Sequence, residues 1–350
     1  MRFVHDTLPQ RVRFATGEAA EHLAQEVRNL GATRLMVIAS RPQRVVAERL
    51  VTDLPVAIWH HDIAMHVPRP VAERTCHIAA LHAVDCLVSV GGGSTTGLAK
   101  AVALKTALPI IAVPTTYAGS EATPVWGMTE DDHKQTGADP RALPRAVIYD
   151  ASLSRSLPVD ISVASGLNAL AHSIDSLWGP RANPVNATLA AEGIRALAIG
   201  LPSVKAEPDD LAAREQTLYG AYLAATAFAS AGAGLHHKIC HVLGGMFGLP
   251  HAQTHAIVLP HVLALNAPHA EDAERRIAAA LGAPTAEGGL RHFRERLDPP
   301  VALRDHGMPA NAIIPAAEAV LAEAPPQNPA RLSTDNLTAL LRAAWEGRLP

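Results

Sequence analysis

Aromatic side chains are scarce in this 350-residue chain, at 4% of residues, and the formal net charge is only −3. No block of Lys and Arg stands out. A nucleic-acid partner is therefore not expected, because such proteins track phosphates with clustered cations and stack bases on aromatic rings. Cysteine is nearly absent too. Cys76, Cys86 and Cys240 stand at unrelated spacings, which excludes a disulfide framework or a CxxC metal site and suits a reducing compartment. No apolar run approaches the roughly 20 residues needed to cross a bilayer, and the Met-Arg-Phe-Val-His start lacks the charged and apolar regions of a signal peptide. No membrane partner is expected, and the cytoplasm is the expected location. What the chain does have is 48% hydrophobic content, over a length that favours two domains and a large core.

The first half alternates short apolar runs with amphipathic segments. Strands are expected at 11–14, 34–39, 55–59, 85–90 and 109–114, and helices at 17–30 (closed by Gly31), 44–50, 71–82 and 95–104. Strands this apolar, separated by helices, imply a parallel sheet covered on both faces, a Rossmann-like α/β domain over residues 1–155. Ligands of such sheets bind beyond the carboxyl ends of the strands, and two polar, glycine-bearing loops sit there. They are Gly91-Gly-Gly-Ser-Thr-Thr-Gly97 and Thr115-Thr-Tyr-Ala-Gly-Ser-Glu121. In the first, Gly91, Gly92 and Gly93 let the backbone approach a pyrophosphate, and the helix that follows points free amides and its positive dipole end at the anion. The loop is neither GxGxxG nor a P-loop, since Lys100 is not followed by Ser or Thr in the required place.

Past Asp150 the strand pattern stops. Alanine- and leucine-rich helical segments fill residues 156–350, the expected all-α domain. There, Gly234 to His255 places His236, His237, His241, His251 and His255 in an otherwise aliphatic stretch. On a helix, His237 and His241 share one face. Gly244, Gly245 and Gly248-Leu249-Pro250 should end that helix and turn the chain back, so that His251 approaches the same cavity. The apolar flanks (Ile239, Val242, Leu243, Met246, Phe247) imply burial, and a buried histidine cluster is most often a metal site or an acid/base site. Asn168 and His172, four apart in apolar surroundings, share a face of another helix.

These residues resemble the iron-containing alcohol dehydrogenase superfamily over nearly the whole chain: the GGGS loop at 91–94, the PTT loop at 114–116 with Gly119-Ser120-Glu121, the Asn168/His172 helix and the His237/His241/His251 segment. The resemblance implies a dehydroquinate synthase-like architecture, an α/β dinucleotide-binding domain joined to an all-helical one with the active site between them. In metal-dependent members an Asp and three His hold the ion, and the matching positions are Asn168, His172, His237 and His251. The anionic ligand is thus missing, and no catalytic metal is expected. The Asp that usually follows the GGGS loop is also absent, being Gly97. Together with the 114–126 segment, the 11–14 start and the 328–345 tail, these departures resemble a branch that uses NADH or NADPH to reduce the activated carbon–carbon double bond of a small unsaturated dicarboxylate, late in bacterial catabolism of aromatic compounds.

For the cofactor, Gly91, Gly92, Gly93 and Ser94 are expected to carry the pyrophosphate, and Thr115, Thr116 and Ser120 to line the nicotinamide side. Lys134 matches a lysine near the nucleotide in relatives. Ser40-Arg41 stands where an NAD-selective enzyme often places an acid, so use of both nucleotides is expected. Hydride addition to such an alkene makes an enolate that needs donors and an acid near neutral pH; histidine suits both tasks, and one imidazolium could replace a Lewis acid. His237 and His241 are expected to be the principal pair, with His172 and His251 completing the wall, and Asn168, Tyr117 and Lys238 toward the substrate. Lys238 lies about 100° around a helix from His237, which favours solvent. His255 is expected to be structural, and the assembly to be a homodimer. Two other readings stay open: a metal-dependent alcohol or polyol dehydrogenase holding Zn²⁺ or Fe²⁺ on three histidines, and a non-catalytic nucleotide-binding or metal-storage module.

Overall fold

Short, apolar, β-branched runs interleaved with helices build the first unit, Leu8–Leu157. The structure, a computed structural model, describes residues 2–130 and 133–350, the side chains of 133 and 134 excepted. In order come β1 (Arg11–Phe14), α1 (Ala19–Leu30), β2 (Leu35–Ile38), α2 (Arg44–Leu50), β3 (Val56–His60), α3 (Arg69–Leu81), β4 (Cys86–Gly91), α4 (Gly93–Thr106), β5 (Ile110–Pro114), β6 (Val125–Glu130), β7 (His133–Ala138) and β8 (Ala146–Tyr149). Six strands form one sheet in the order β1-β8-β5-β4-β2-β3 with every pair parallel, while β6 and β7 form an antiparallel hairpin. Alternate residues of each strand feed the two faces. Leu35 and Val37 pack with Leu23 and Val27 of α1 and Leu50 of α2. Met36 and Ile38 pack with Val71 of α3 and Leu98 and Val102 of α4.

β8 and the hairpin were not anticipated from the sequence. β8 is four residues hemmed by Pro144 and Asp150, too short to show a period, yet it is buried throughout between β1 and β5. The chain runs from β2 outward to β3 and returns to β4 on the other side of β2, so the strand order reverses between β2 and β4. Ile38 pairs with Ser89 there. Ser40 and Gly91 therefore leave adjacent strands at the carboxyl edge, where doubly wound sheets bind ligands.

The second unit takes Pro158–Pro350 together with the chain start through Thr7, so the division falls two residues beyond the 155/156 boundary expected, and the first residues belong with the helices. Its helices are α5 (Val159–Ser176), α6 (Pro184–Ala206), α7 (Leu211–Ala231), α8 (Leu235–Phe247), α9 (His251–Asn266), α10 (Glu271–Ala280), α11 (Ala286–Leu297), α12 (Ile313–Glu323) and α13 (Thr334–Glu346). Contrary to the reading of apolar runs, α6 is long and apolar enough to cross a membrane by length and composition; 56% of its apolar window is buried, and it packs on α5 and α7 as a core helix. The α6 and α7 backbones approach closely. A β-carbon on Gly200 would lie 2.8 Å from the Thr217 nitrogen, and one on Gly220 would lie 3.0 Å from the Leu197 nitrogen.

Candidate active site

In the first unit, Gly91 at the end of β4 pairs with Pro114 of β5, and the Thr115 N–H donates to the Gly91 carbonyl at 3.1 Å. The two loops singled out in the sequence therefore start side by side. A β-carbon on Gly92 would come within 2.9 Å of Thr116 Cγ2, so only glycine lets them lie together. Gly92 caps α4 with no side chain, and the Thr95 and Thr96 N–H groups turn back to its carbonyl. That leaves the amides of Gly93 and Ser94 at the positive end of the helix, the donor set an oxyanion takes. Thr115 and Tyr117 are buried, while Thr116, Ser120 and Ser40 are half-buried. Lys134 lies in β7, and its side chain is outside the described residues. Lys100 is fully buried and donates to the Thr123 carbonyl (2.8 Å), the Val125 carbonyl (2.7 Å) and the Thr123 hydroxyl (3.2 Å). It is a strut for the second loop, and burial lowers its pKa to about 7.

In the second unit, α5 carries Asn168, His172 and Asp175, all buried. α8 brings His236 and His237, buried, and His241, half-buried. α9 begins at His251, which sets an exposed His251 and a buried His255 four apart on one face. His172 and His237 stack with centroids 4.7 Å apart and planes at 11°, and Phe228 of α7 covers them at 4.8 and 4.2 Å. His241 stands edge-on to His237 at 6.3 Å. His255 touches His237 at 4.9 Å and His251 at 4.3 Å, and its Nδ1 shares a 2.8 Å hydrogen bond with His236 Nε2. His255, expected to be structural, is the hub that joins α8 to α9 through these contacts. Lys238 faces elsewhere, its Nζ 3.3 Å from Glu323 Oε2. Asp175 escaped the sequence reading, although its place seven residues after Asn168 and three after His172 keeps one helix face polar. It accepts hydrogen bonds from the Gly234 N–H (2.9 Å), the Trp178 indole (3.2 Å) and His237 Nδ1 (2.8 Å).

Burial sets the charge state of the cluster. It lowers the pKa of His172 to about 4 and of His236 to about 3, and holds His237 and His255 well below the ordinary imidazole value. These four rings are neutral near pH 7, so an imidazolium in this cluster has to form with the substrate bound.

The geometry also bears on a metal ion. A ligated ion lies close to the plane of each imidazole at about 2 Å from the nitrogen. The His172 and His237 rings lie nearly parallel with centroids 4.7 Å apart. Position 168 adds only a neutral amide. Among the described residues, the donor atoms that do gather within 4.8 Å belong to His236, Cys240 and His255, and two of these already share a hydrogen bond. His172, His237 and His251 are not part of that group.

Comparison with known proteins agrees with this architecture. The first unit matches the family described as iron-containing alcohol dehydrogenase over residues 9–151, and the second matches the Fe-containing alcohol dehydrogenase family, C-terminal, over residues 162–345. A maleylacetate reductase from Burkholderia cepacia is 44% identical, with 99% of each chain covered. Among solved structures, an iron-containing alcohol dehydrogenase from Corynebacterium glutamicum superposes with a TM-score of 0.97 at 56% identity, covering 99% of this chain and 98% of the other. Maleylacetate reductase from Agrobacterium tumefaciens superposes with a TM-score of 0.94 at 42% identity, with 100% of both chains covered. With both of its units matched along almost their whole length, the chain belongs to the iron-containing alcohol dehydrogenase family.

Proposed function

We propose that this enzyme adds hydride and a proton across the carbon–carbon double bond of maleylacetate, giving 3-oxoadipate, with NADH or NADPH as reductant and without a catalytic metal. The observation that carries the reading is the stacked pair of buried, neutral His172 and His237, with the neutral Asn168 one turn before His172 on α5, in a chain 44% identical to a maleylacetate reductase over its length. It also favours this reading over a metal-dependent dehydrogenase. Gly91 to Ser94 hold the pyrophosphate through the open end of α4, with Thr115, Thr116 and Ser120 beside the nicotinamide and Ser40 at the ribose. Tyr117 helps shape the substrate pocket. The bound nicotinamide supplies the hydride.

Negative charge then moves to the substrate's ketone oxygen, where His172 and Asn168 offer N–H donors in a desolvated setting, and His237 joins them once its Nε2 carries a proton. The two substrate carboxylates bring anionic charge among neutral imidazoles and raise their proton affinity, so a histidine that is neutral in the free enzyme takes up the proton it later delivers to carbon. His237 and His241 are that pair. His241 and His251 are the members that solvent reaches, and they reload the proton. The enzyme is taken to be cytoplasmic and homodimeric, with no nucleic-acid or membrane partner.

The test is NADH and NADPH consumption with maleylacetate generated in situ from hydroxyquinol, before and after exhaustive dialysis against EDTA. Equal rates are expected. A dialysed enzyme that is inactive and revives with Zn²⁺ or Fe²⁺ would return the protein to the metal-dependent reading, and no nucleotide oxidation with this substrate would remove the proposed activity.

A further inference from the structure

We infer that Asp175 is a positioning residue, one that holds the His237 ring with its proton on Nδ1 and so presents a bare Nε2 to the histidine cluster. Asp175 is fully buried and lies 62 residues before its partner in sequence. Its Oδ2 receives the Gly234 N–H at 2.9 Å, the His237 N–H at 3.3 Å and His237 Nδ1 at 2.8 Å, while its Oδ1 receives the Trp178 indole N–H at 3.2 Å. Two of these N–H groups belong to the residue that caps α8, Gly234, and to its first turn, His237, and Gly234 brings no side-chain cap of its own. One carboxylate therefore fixes both the start of the helix and the ring it carries. Space for it comes from Gly234, where a β-carbon would sit 2.3 Å from Asp175 Oδ1.

The partners other than the imidazole are all donors, so the ionised carboxylate satisfies every contact when Nδ1 carries the ring proton. A carboxylic acid would have to surrender an acceptor position to its own hydrogen. The tautomer of a histidine follows from the bond its other nitrogen makes. Nε2 of His237 is buried and has no hydrogen-bond partner among the described residues, which is the condition of a nitrogen waiting for a proton or a substrate group. When Nε2 is protonated, the imidazolium charge faces the Asp175 carboxylate directly, and the mobile proton is the one on the cluster side.

This inference rests on the proposed reaction only for its kinetic arm. Asp175→Asn keeps an acceptor for the α8 amides but removes the charge; kcat for maleylacetate reduction should fall about 10²- to 10⁴-fold, while the KM for NADH stays within about threefold. The second arm is ¹⁵N NMR of the histidine-labelled wild-type enzyme, with the His237 signals assigned by their loss in His237→Asn. A proton on Nδ1 and a bare Nε2 are expected. A kcat within about threefold of wild type in Asp175→Asn, or a His237 proton on Nε2, would overturn the assignment. Should Asp175→Asn fail to fold, the spectrum of the wild-type protein decides. If the wild-type enzyme does not reduce maleylacetate, the proposed function fails while the tautomer measurement still stands.

Discussion

The two units keep their polarity in different places. At the carboxyl edge of the sheet it resides in the backbone: glycines, the amides of Gly93 and Ser94, and a helix dipole. In the helical unit it resides in side chains, a set of imidazoles, an amide and a carboxylate enclosed by Leu, Ile, Ala and Phe. Backbone polarity works with any residue small enough to stay out of the way. Buried side-chain polarity works only if each ring finds its partner, because an orphaned polar group costs about 1–3 kcal/mol. The loops should therefore tolerate chemistry and reject bulk, whereas the cluster should tolerate bulk poorly and chemistry not at all.

The largest effect is expected in the cluster. His237→Asn or His241→Asn should lower kcat by about 10²- to 10⁴-fold, with the nucleotide KM little changed; near-normal rates in both would detach the cluster from the chemistry. His255→Ala sharpens the point, because it leaves His236 Nε2 with only the Cys240 thiol at 3.7 Å, so melting temperature and kcat should fall together in paired measurements.

Acid should act next, and on the helical unit. Folded pKa values of about 4 for His172 and about 3 for His236 lie below the roughly 6.5 of an exposed imidazole. The unfolded chain therefore binds more protons in that window, and stability is complete above about pH 6.5 and lost as pH falls toward 4, at about 1.4 kcal/mol per pH unit for each such ring. Denaturant titrations from pH 7.5 to 4.5 should show this slope, and a flat profile would mean that the rings are not neutral and buried.

Bulk in the loop should be milder. Gly92→Val pushes a side chain toward Thr116 and the open end of α4, and should weaken nucleotide binding about tenfold or more by titration while the chain still folds; unchanged affinity would make the loop an ordinary turn. The smallest effect belongs to Lys238→Ala. The ion pair with Glu323, itself 60% exposed, should contribute less than about 1 kcal/mol, and kcat/KM should stay within about twofold. A larger loss would return Lys238 to the substrate.

How much of this was visible in the sequence follows from the same contrast. β1 and α2 fall where the pattern put them, and the GGGS and PTT loops lie at strand ends as expected, since period and punctuation are local signals. α4 begins at Gly93, two residues early, because glycines read as loop also serve as a helix start. Four-residue spacing revealed Asn168/His172 and His237/His241. It could not reveal that His172 stacks with His237, that His236 and His255 share a hydrogen bond, or that Asp175 pairs with His237, since those contacts depend on how α5, α8 and α9 cross. Spacing alone also could not show that burial would strip the cluster of its charge.

The glycines at the α6–α7 crossing carry a consequence for anyone seeking a sturdier version of this protein. Replacing glycine by alanine within a helix is a standard stabilising step, with a gain of about 1 kcal/mol where the site is open. Gly244 of α8, with nothing within 4 Å of an added methyl, is such a site. Gly200 and Gly220 are the reverse, because the methyl would meet main-chain nitrogen that belongs to a packed helix and cannot swing aside. Helix propensity and tertiary fit thus give opposite advice within one unit, and a redesign guided by propensity alone would pry apart the pair of helices against which α5 is braced.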